Sequence, residues 1–325
     1  MSASIPAGRS LAGLSRYGLI LALITVFSIF CAAAPTFLTT GNLQSILINN
    51  FTLLAIVSIA MTLAVSAGGI DLSVGTAVDF ASFAFVSLVL SGKPVVLALL
   101  TALLAGGFVG AFNAILISAI GVSPFLATLG TLFIGRSIQQ LLTNGGNPVY
   151  LPPTAVPDAF RFLGHGTIAG IPVPLLIAAA VIAGAAVSFS LTRFGRVVVS
   201  IGIQPSVARY SGIGLGRHVA ATFILAGTVA AIAGIILTST VTVYIPSSGN
   251  AFLLNAIGAT FIGTAFSPFG RPNVAGTVLG VLLLSIVANG LLLTGLNFYW
   301  QQVGTGSLIF AVLAFSFINK KAVGA

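Results

Sequence analysis

The sequence predicts an all-α, polytopic membrane protein of about ten transmembrane helices, with an inverted repeat relating helices 2–5 to helices 7–10. Three observations predict this. Of the 325 residues, 58% are hydrophobic and 5% are charged, whereas a soluble domain carries about 25% charged residues. The apolar runs continue unbroken for about 20 residues, the length a helix needs to cross a bilayer; a membrane β-barrel would alternate over about ten. Finally, the chain aligns with itself, without gaps, at an offset of 176 residues. Intrinsic disorder is excluded by the same hydrophobicity.

The ten expected spans are 17–38, 49–67, 72–91, 95–119, 124–142, 173–191, 219–244, 252–266, 274–295 and 299–318. Turn chemistry separates them: Gly68-Gly69, Gly92-Lys93-Pro94, Ser123-Pro124, a Pro/Gly-rich stretch at 143–172, Pro246-Ser247-Ser248-Gly249 and Ser267-Pro268. One transmembrane domain is expected over 1–325. The first span resembles a signal sequence, because Arg9 and Arg16 precede an apolar run and Ala32-Ala33-Ala34 follows it. Its length and the adjoining Pro35 favour a retained anchor.

With both termini inside, nine basic residues are cytoplasmic: Arg9, Arg16, Arg193, Arg196, Arg209, Arg217, Arg271, Lys320 and Lys321. Only Lys93 and Arg161 lie outside, and Arg136 is within a span. Positive residues collect in cytoplasmic loops, so residues 1–16 and the loop 192–218 are assigned to the cytoplasm. The net charge of +9 then reflects topology and a lipid surface rather than nucleic acid.

Under the 176 offset, Leu54–Leu63 falls on Ala230–Ser239, Asn113–Ile120 on Asn289–Leu296, and Gly130–Leu132 on Gly306–Leu308. Partner spans are separated by an odd number of crossings and run in opposite directions. Inverted repeats of this kind place a pathway at the interface between halves.

Composition also limits chemistry. The chain has no Glu and three Asp, so a catalytic carboxylate pair is hard to assemble. The single Cys31 excludes an intrachain disulfide. His165 and His218 fall in loops on opposite sides, and no metal or other cofactor is expected. A phosphate-binding GxxxxGK[ST] loop is absent, so the chain has no P-loop of its own for ATP. An enzyme is therefore not expected.

Intramembrane polar residues are costly and mark sites. Asp79 lies two turns into span 3, and its repeat partner is Asn255. Either the two line a pathway for a polar solute, or they satisfy internal partners. Arg136 in span 5 either snorkels outward or pairs with Asp79. Asn113 and Asn289 are repeat partners on spans 4 and 9 and are suited to helix-to-helix hydrogen bonds. All five are carried as candidate pathway residues. Gly106/Gly110 and Gly276/Gly280 permit close helix approach.

Between spans 2 and 3 the chain reads Gly68-Gly69-Ile70-Asp71-Leu72-Ser73-Val74-Gly75. Two glycines end a helix and Asp71 is placed to cap the next. In the loop 192–218, Pro205 can start a short helix over Ser206–Tyr210. The length of that loop favours a docking element.

Taken together, these stretches resemble the permease subunits of bacterial ABC importers of the ribose/arabinose/xylose monosaccharide type. GGIDLSVG, with Gly68, Gly69, Asp71, Ser73 and Gly75, resembles the signature of that family. Thr128-Leu129-Gly130 with Arg136, Thr192–Arg196, Ala208–Ile213, Ile262-Gly263-Thr264 and Asn289-Gly290-Leu291 are similar to further family stretches, over residues 45–318. The resemblance implies an inner-membrane protein working as a homo- or heterodimer. It also implies a separate ATP-binding subunit and a periplasmic sugar-binding protein as partners. Pro205, Ala208, Arg209 and Gly212 would then belong to the segment that couples to the ATPase. Asp79 stands where such permeases usually carry a small or apolar residue, and Asn255 where many carry Asp. Two other readings remain open on the residues: a secondary transporter or facilitator using Asp79, and an ABC permease for branched-chain amino acids.

Overall fold

A computed structural model describes residues 8–267 and 270–323. Residues 1–7 of the expected cytoplasmic N-terminus, and Pro268 and Phe269 beside the Ser267-Pro268 break, lie outside the described residues.

Fourteen α-helices are described: α1 (Gly8–Ala33), α2 (Thr40–Ser45), α3 (Thr52–Ser66), α4 (Val74–Leu90), α5 (Val95–Ala114), α6 (Pro124–Leu142), α7 (Asp158–His165), α8 (Val173–Leu191), α9 (Arg193–Ile203), α10 (Pro205–Tyr210), α11 (Leu215–Val241), α12 (Asn250–Thr264), α13 (Val274–Leu293) and α14 (Phe298–Val323). Every expected span falls on this series. Wider π-helical turns, Ile46–Phe51 and Ile115–Ile120, join α2 to α3 and extend α5. A short 3-10 turn, Pro153–Ala155, and four two-residue strands complete the described structure: β1 (Val149–Tyr150), β2 (Thr167–Ile168), β3 (Ile171–Pro172) and β4 (Val243–Tyr244). The fold is all-α, and the protein is a multi-pass membrane protein. Among the described residues, five helical stretches are long and apolar enough to cross a membrane: Thr40–Ser66, Val95–Ile120, Val173–Leu191, Leu215–Val241 and Val274–Leu293. Tyr17–Ala33, Val74–Leu90 and Asn250–Thr264 are shorter apolar helices.

The repeat offset reappears in the helix boundaries. Thr40–Ser66 and Leu215–Val241 each contain 27 residues. The next helices of the two halves, α4 and α12, begin at Val74 and Asn250, which are 176 positions apart.

The described residues form two compact units, one of Thr52–Ile257 and one comprising those up to Phe51 with those from Gly258 onward. In the unit Thr52–Ile257, α11 packs against α3, α4 and α5. Lipid supplies no hydrophobic drive for helix association, so close packing must come from small residues. Gly106 and Gly110 of α5 do this against α11: a Cβ on Gly106 would stand 2.6 Å from Ala231 Cβ, and one on Gly110 2.8 Å from Ile224 Cα. The short α7 is anchored by Phe160, which stacks on Phe85 of α4 at 5.1 Å within an apolar cluster. Strand β1 pairs antiparallel with β4, joining the 143–172 segment to the chain just after α11.

In the other unit, Phe30, Phe37, Ile286 and Val287 form an apolar cluster. Gly276 and Gly280 of α13 face the α12 backbone: a Cβ on Gly276 would lie 2.8 Å from Gly263 C, and one on Gly280 3.1 Å from Ala259 C. Each half of the repeat thus uses its small-residue pair for helix packing.

Candidate functional site

The most unusual chemistry of the unit Thr52–Ile257 lies where the chain stops being helical between α3 and α4, and between α11 and α12. Under the repeat, the first break (67–73) corresponds to the second (242–249). Backbone N–H and C=O groups freed at a break must find partners inside a membrane protein. Buried polar side chains supply them at both breaks.

At the first break Asp71 and Ser73 are each about 1% exposed. Asp71 Oδ1 accepts from the Ser73 N–H at 2.8 Å and from the Ser73 hydroxyl at 2.6 Å. Ser73 Oγ in turn accepts from Asn113 Nδ2 of α5 at 2.6 Å. The amide oxygen of Asn113 accepts from Thr131 Oγ1 of α6, also at 2.6 Å. This gives a continuous line Asp71–Ser73–Asn113–Thr131 across three segments. One turn away on α6, Thr128 Oγ1 accepts from the Leu72 N–H at 3.0 Å. Gly69 fits because Pro124 lies where a Cβ would go, 2.8 Å from its Cγ.

At the second break the backbone is strained. Thr242 and Ser247 adopt left-handed conformations, φ 53° and φ 64°, each costing on the order of 1–2 kcal/mol for a residue with a side chain. Two buried side chains hold this geometry. Gln139 Oε1 of α6 accepts from the Ser247 N–H at 2.7 Å and from the Tyr244 hydroxyl at 3.1 Å. Asp79 Oδ1 of α4 accepts from the Gly249 N–H at 2.7 Å and from the Ser248 hydroxyl at 3.1 Å. Asp79 thus sits at the start of α12, where free N–H groups and the helix dipole favour an acid.

The second break meets the first turn of α4 at glycines. A Cβ on Gly75 would stand 2.7 Å from Asn250 Oδ1 and 3.0 Å from Gly249 C, and one on Gly249 would stand 3.0 Å from Val78 Cβ. The first turn of α4 and the start of α12 therefore touch backbone to backbone. Beside this crossing, Asp79 Oδ2 and Asn250 Oδ1 are buried acceptors with no hydrogen-bond partner.

The other sequence-derived candidates are distributed. Arg136 is exposed on α6, and the hydrogen bonds to Asp79 Oδ1 come from Ser248 and Gly249. Asn255 is half-buried on α12. Asn289 donates Nδ2 to Asn42 Oδ1 at 2.9 Å within the other unit. Gly68, with φ 90°, ends the α3 segment. On α10, Ala208 is buried, while Pro205 and Arg209 are exposed; Gly212 follows with φ 75°. Among the described residues no group of three or more His, Cys or Asp side chains could hold a metal. Sequence reasoning did not single out Gln139, Thr131, Ser248 or Gly249 as site residues. Gln139 carried a usable signal, being polar inside an expected span; Gly249 carried another, as the repeat partner of Ser73.

Residues 43–313 match the family described as branched-chain amino acid transport system / permease component. The chain belongs to this permease family. It is 31% identical over 302 residues to the ribose import permease protein RbsC of Escherichia coli K12, covering 93% of each chain. The RbsC protein of Bacillus subtilis 168 is 32% identical over 296 residues, covering 91% of each. A D-allose transport system permease protein, AlsC of Escherichia coli K12, is 31% identical over 306 residues, covering 92% of this chain and 90% of its own. No solved structure matches. As a member of this permease family the chain is a transport protein rather than an enzyme, and the buried side chains at its two breaks are engaged in holding backbone.

Proposed function

We propose that this chain is the membrane-spanning subunit of an ATP-driven importer for a monosaccharide or similar polyhydroxylated solute. The observation that carries the reading is the contact of the second helix break, at Gly249, with the first turn of α4, at Gly75, just beyond the repeat-related first break. Discontinuous helices at the interface of a repeat are a recurrent way to build a solute route that can open to either side. The named relatives over nearly the whole chain are ribose and allose permeases, which supports a sugar over an amino acid.

In this reading the protein sits in the bacterial inner membrane with both termini cytoplasmic, paired with a second permease subunit. A periplasmic sugar-binding protein delivers the solute. The exposed side of α10, with Val207 56% and Tyr210 91% exposed, meets a separate ATP-binding subunit. Pro205, Arg209 and Gly212 belong to that docking segment. Polar groups consumed in holding backbone leave weak contacts for the solute, as a cargo that must leave again requires.

The test is reconstitution in vesicles with an ATP-binding subunit and a sugar-binding protein of a ribose or allose importer. ATP-dependent, vanadate-sensitive uptake of D-ribose or D-allose is expected, and none from the permease alone. Uphill accumulation by the lone chain under an ion gradient, without nucleotide, would overturn the proposal in favour of a secondary transporter.

A further inference from the structure

Asn113 and Asn289 hold equivalent places in the two halves of the repeat, yet only Asn113 has both ends of its amide engaged. In the unit Thr52–Ile257, Asn113 Nδ2 donates to Ser73 Oγ, and Asn113 Oδ1 accepts from Thr131 Oγ1 of α6, each at 2.6 Å. In the other unit, Asn289 Nδ2 donates to Asn42 Oδ1 at 2.9 Å. Its Oδ1 is buried and has no hydrogen-bond partner. Ser285 Oγ, one turn earlier on α13, is also buried without a partner, so that hydroxyl does not fill the gap. Leaving a buried acceptor unmet carries the full cost of its desolvation.

The repeat names the missing donor. At the offset of 176, Thr131 falls on Ser307 of α14, and both carry a hydroxyl. Thr131 is buried, whereas Ser307 is exposed. The difference is one of helix rotation. Helix α6 buries Thr128, Thr131, Gly135 and Gln139. The α14 residues equivalent to the first two are Gly304, half-buried, and Ser307. Helix α14 instead turns inward Thr305, which is buried, with Leu308 and Ile309, which are half-buried. Ile309 lies against α12, where a Cβ on Gly258 would stand 2.8 Å from Ile309 Cγ1. At about 100° per residue, the inward edge of α14 lies roughly a quarter turn round from that of α6.

The contact of α14 with α13 suits a helix that rolls. It is made at Gly304, where a Cβ would stand 2.5 Å from Leu291 Cδ1. Bare backbone at that point brings no side chain of α14 into α13 to lock its rotation. Packed interfaces change between discrete seatings rather than by continuous deformation, and in a transporter built from inverted repeats the halves move against each other.

We infer that α14 has a second seating on α13 in which Ser307 Oγ donates to Asn289 Oδ1, the counterpart of the Thr131–Asn113 bond, and that the transport cycle passes through it. The inference rests on the function proposed above. Ser307 is a positioning residue here: it fixes α14 against α13 and need not touch the cargo. The described structure then has this bond made in one half of the repeat and open in the other.

The test uses the reconstituted complex in vesicles, in a Cys31→Ser background. Asn289→Cys with Ser307→Cys is the probe pair. Asn289→Cys with Gly306→Cys is the control, since a Cβ on Gly306 meets nothing within 4 Å. With a short bifunctional methanethiosulfonate, the probe pair should bridge at least ~5-fold faster in the complex trapped with ATP and vanadate than at rest. The control pair should bridge slowly in both. Equal rates for the probe pair in the two states, bridging in neither, or a bridge between two copies of the chain would each overturn the inference. Ser307→Ala gives a readout without cysteines. The side chain is exposed at rest, so thermal unfolding should not change, while uptake of D-ribose or D-allose should slow about 2- to 10-fold. Ser307→Thr, which copies Thr131, should retain uptake. Unchanged uptake in Ser307→Ala would leave the second seating without a role in transport. If the wild-type complex transports neither sugar, the functional reading fails by itself; faster bridging of the probe pair with ATP and vanadate would still establish the second seating, and equal rates would remove it.

Discussion

Gly202 of α9 and Gly68 at the end of α3 meet backbone to backbone. A Cβ on Gly202 would stand 3.0 Å from the Gly68 nitrogen and 3.0 Å from Ser66 C, and one on Gly68 would lie 3.3 Å from Gly202 Cα. The 192–218 segment therefore presses directly on the first helix break, which links the proposed ATPase-facing loop to the proposed solute route.

Gly202→Ala should accordingly separate α9 from the break. Overpacking of this kind costs about 1–3 kcal/mol, so the purified subunit should unfold at lower temperature and ATP-driven uptake should fall. Gly212→Ala is the comparison: a Cβ there meets nothing within 4 Å, and only the φ of 75° opposes it. Its effect on thermal unfolding should be the smaller of the two. The reverse order would show that the Gly68–Gly202 approach carries no strain.

Asp79 acts through its acceptors. Asp79→Asn keeps an oxygen for the Gly249 N–H and the Ser248 hydroxyl, so the second break should survive with modest loss. Asp79→Ala leaves a buried N–H without a partner, at about 1–3 kcal/mol. Chemical or thermal unfolding of both variants should rank Ala below Asn. Equal stability of Asp79→Ala and wild type would remove the capping role. If Asp79→Asn also leaves uptake and sugar preference unchanged, no transport role remains for the charge.

The line from Asp71 to Thr131 should behave as one network. Asn113→Ala breaks its centre, and Thr131→Val removes the hydroxyl that donates to Asn113. Groups that share a network show coupling of about 0.5–3 kcal/mol in a double-mutant cycle. Strict additivity of these two substitutions in unfolding measurements would argue against the network.

Gln139 and Tyr244 differ in importance. Gln139→Leu strands the Ser247 N–H in a segment whose φ is already left-handed, at about 1–3 kcal/mol. Tyr244→Phe removes one donor and leaves the Gln139–Ser247 bond in place. Limited proteolysis of the 242–249 segment should therefore rise more in Gln139→Leu than in Tyr244→Phe.

Much of the fold was legible along the chain. A run of some 20 apolar residues has few alternatives to a membrane helix, and Gly, Pro and Ser mark its ends; α8 coincides with the expected span 173–191. The break at GGIDLSVG was legible for the same local reason. Gly106/Gly110 could be read as packing because close approach requires the absence of a side chain. What each polar residue touches was less legible. Asp79 and Arg136 are both ionisable residues within spans, yet one is fully buried at the start of α12 and the other is exposed.

The sequence by itself determined the class of molecule: its membrane helices, the places where helices must stop and the two-fold repetition of the pattern. Those features depend on neighbours within a few residues, or on the total of apolar groups, and need no knowledge of long-range contacts. Only the tertiary structure decided that α6 serves both breaks, that the acid of one half holds the helix start of the other, and that Gly202 leans on Gly68. Such pairings join positions 56 to 170 residues apart, and a hydrogen bond forms only between groups that folding has brought within about 3 Å of each other.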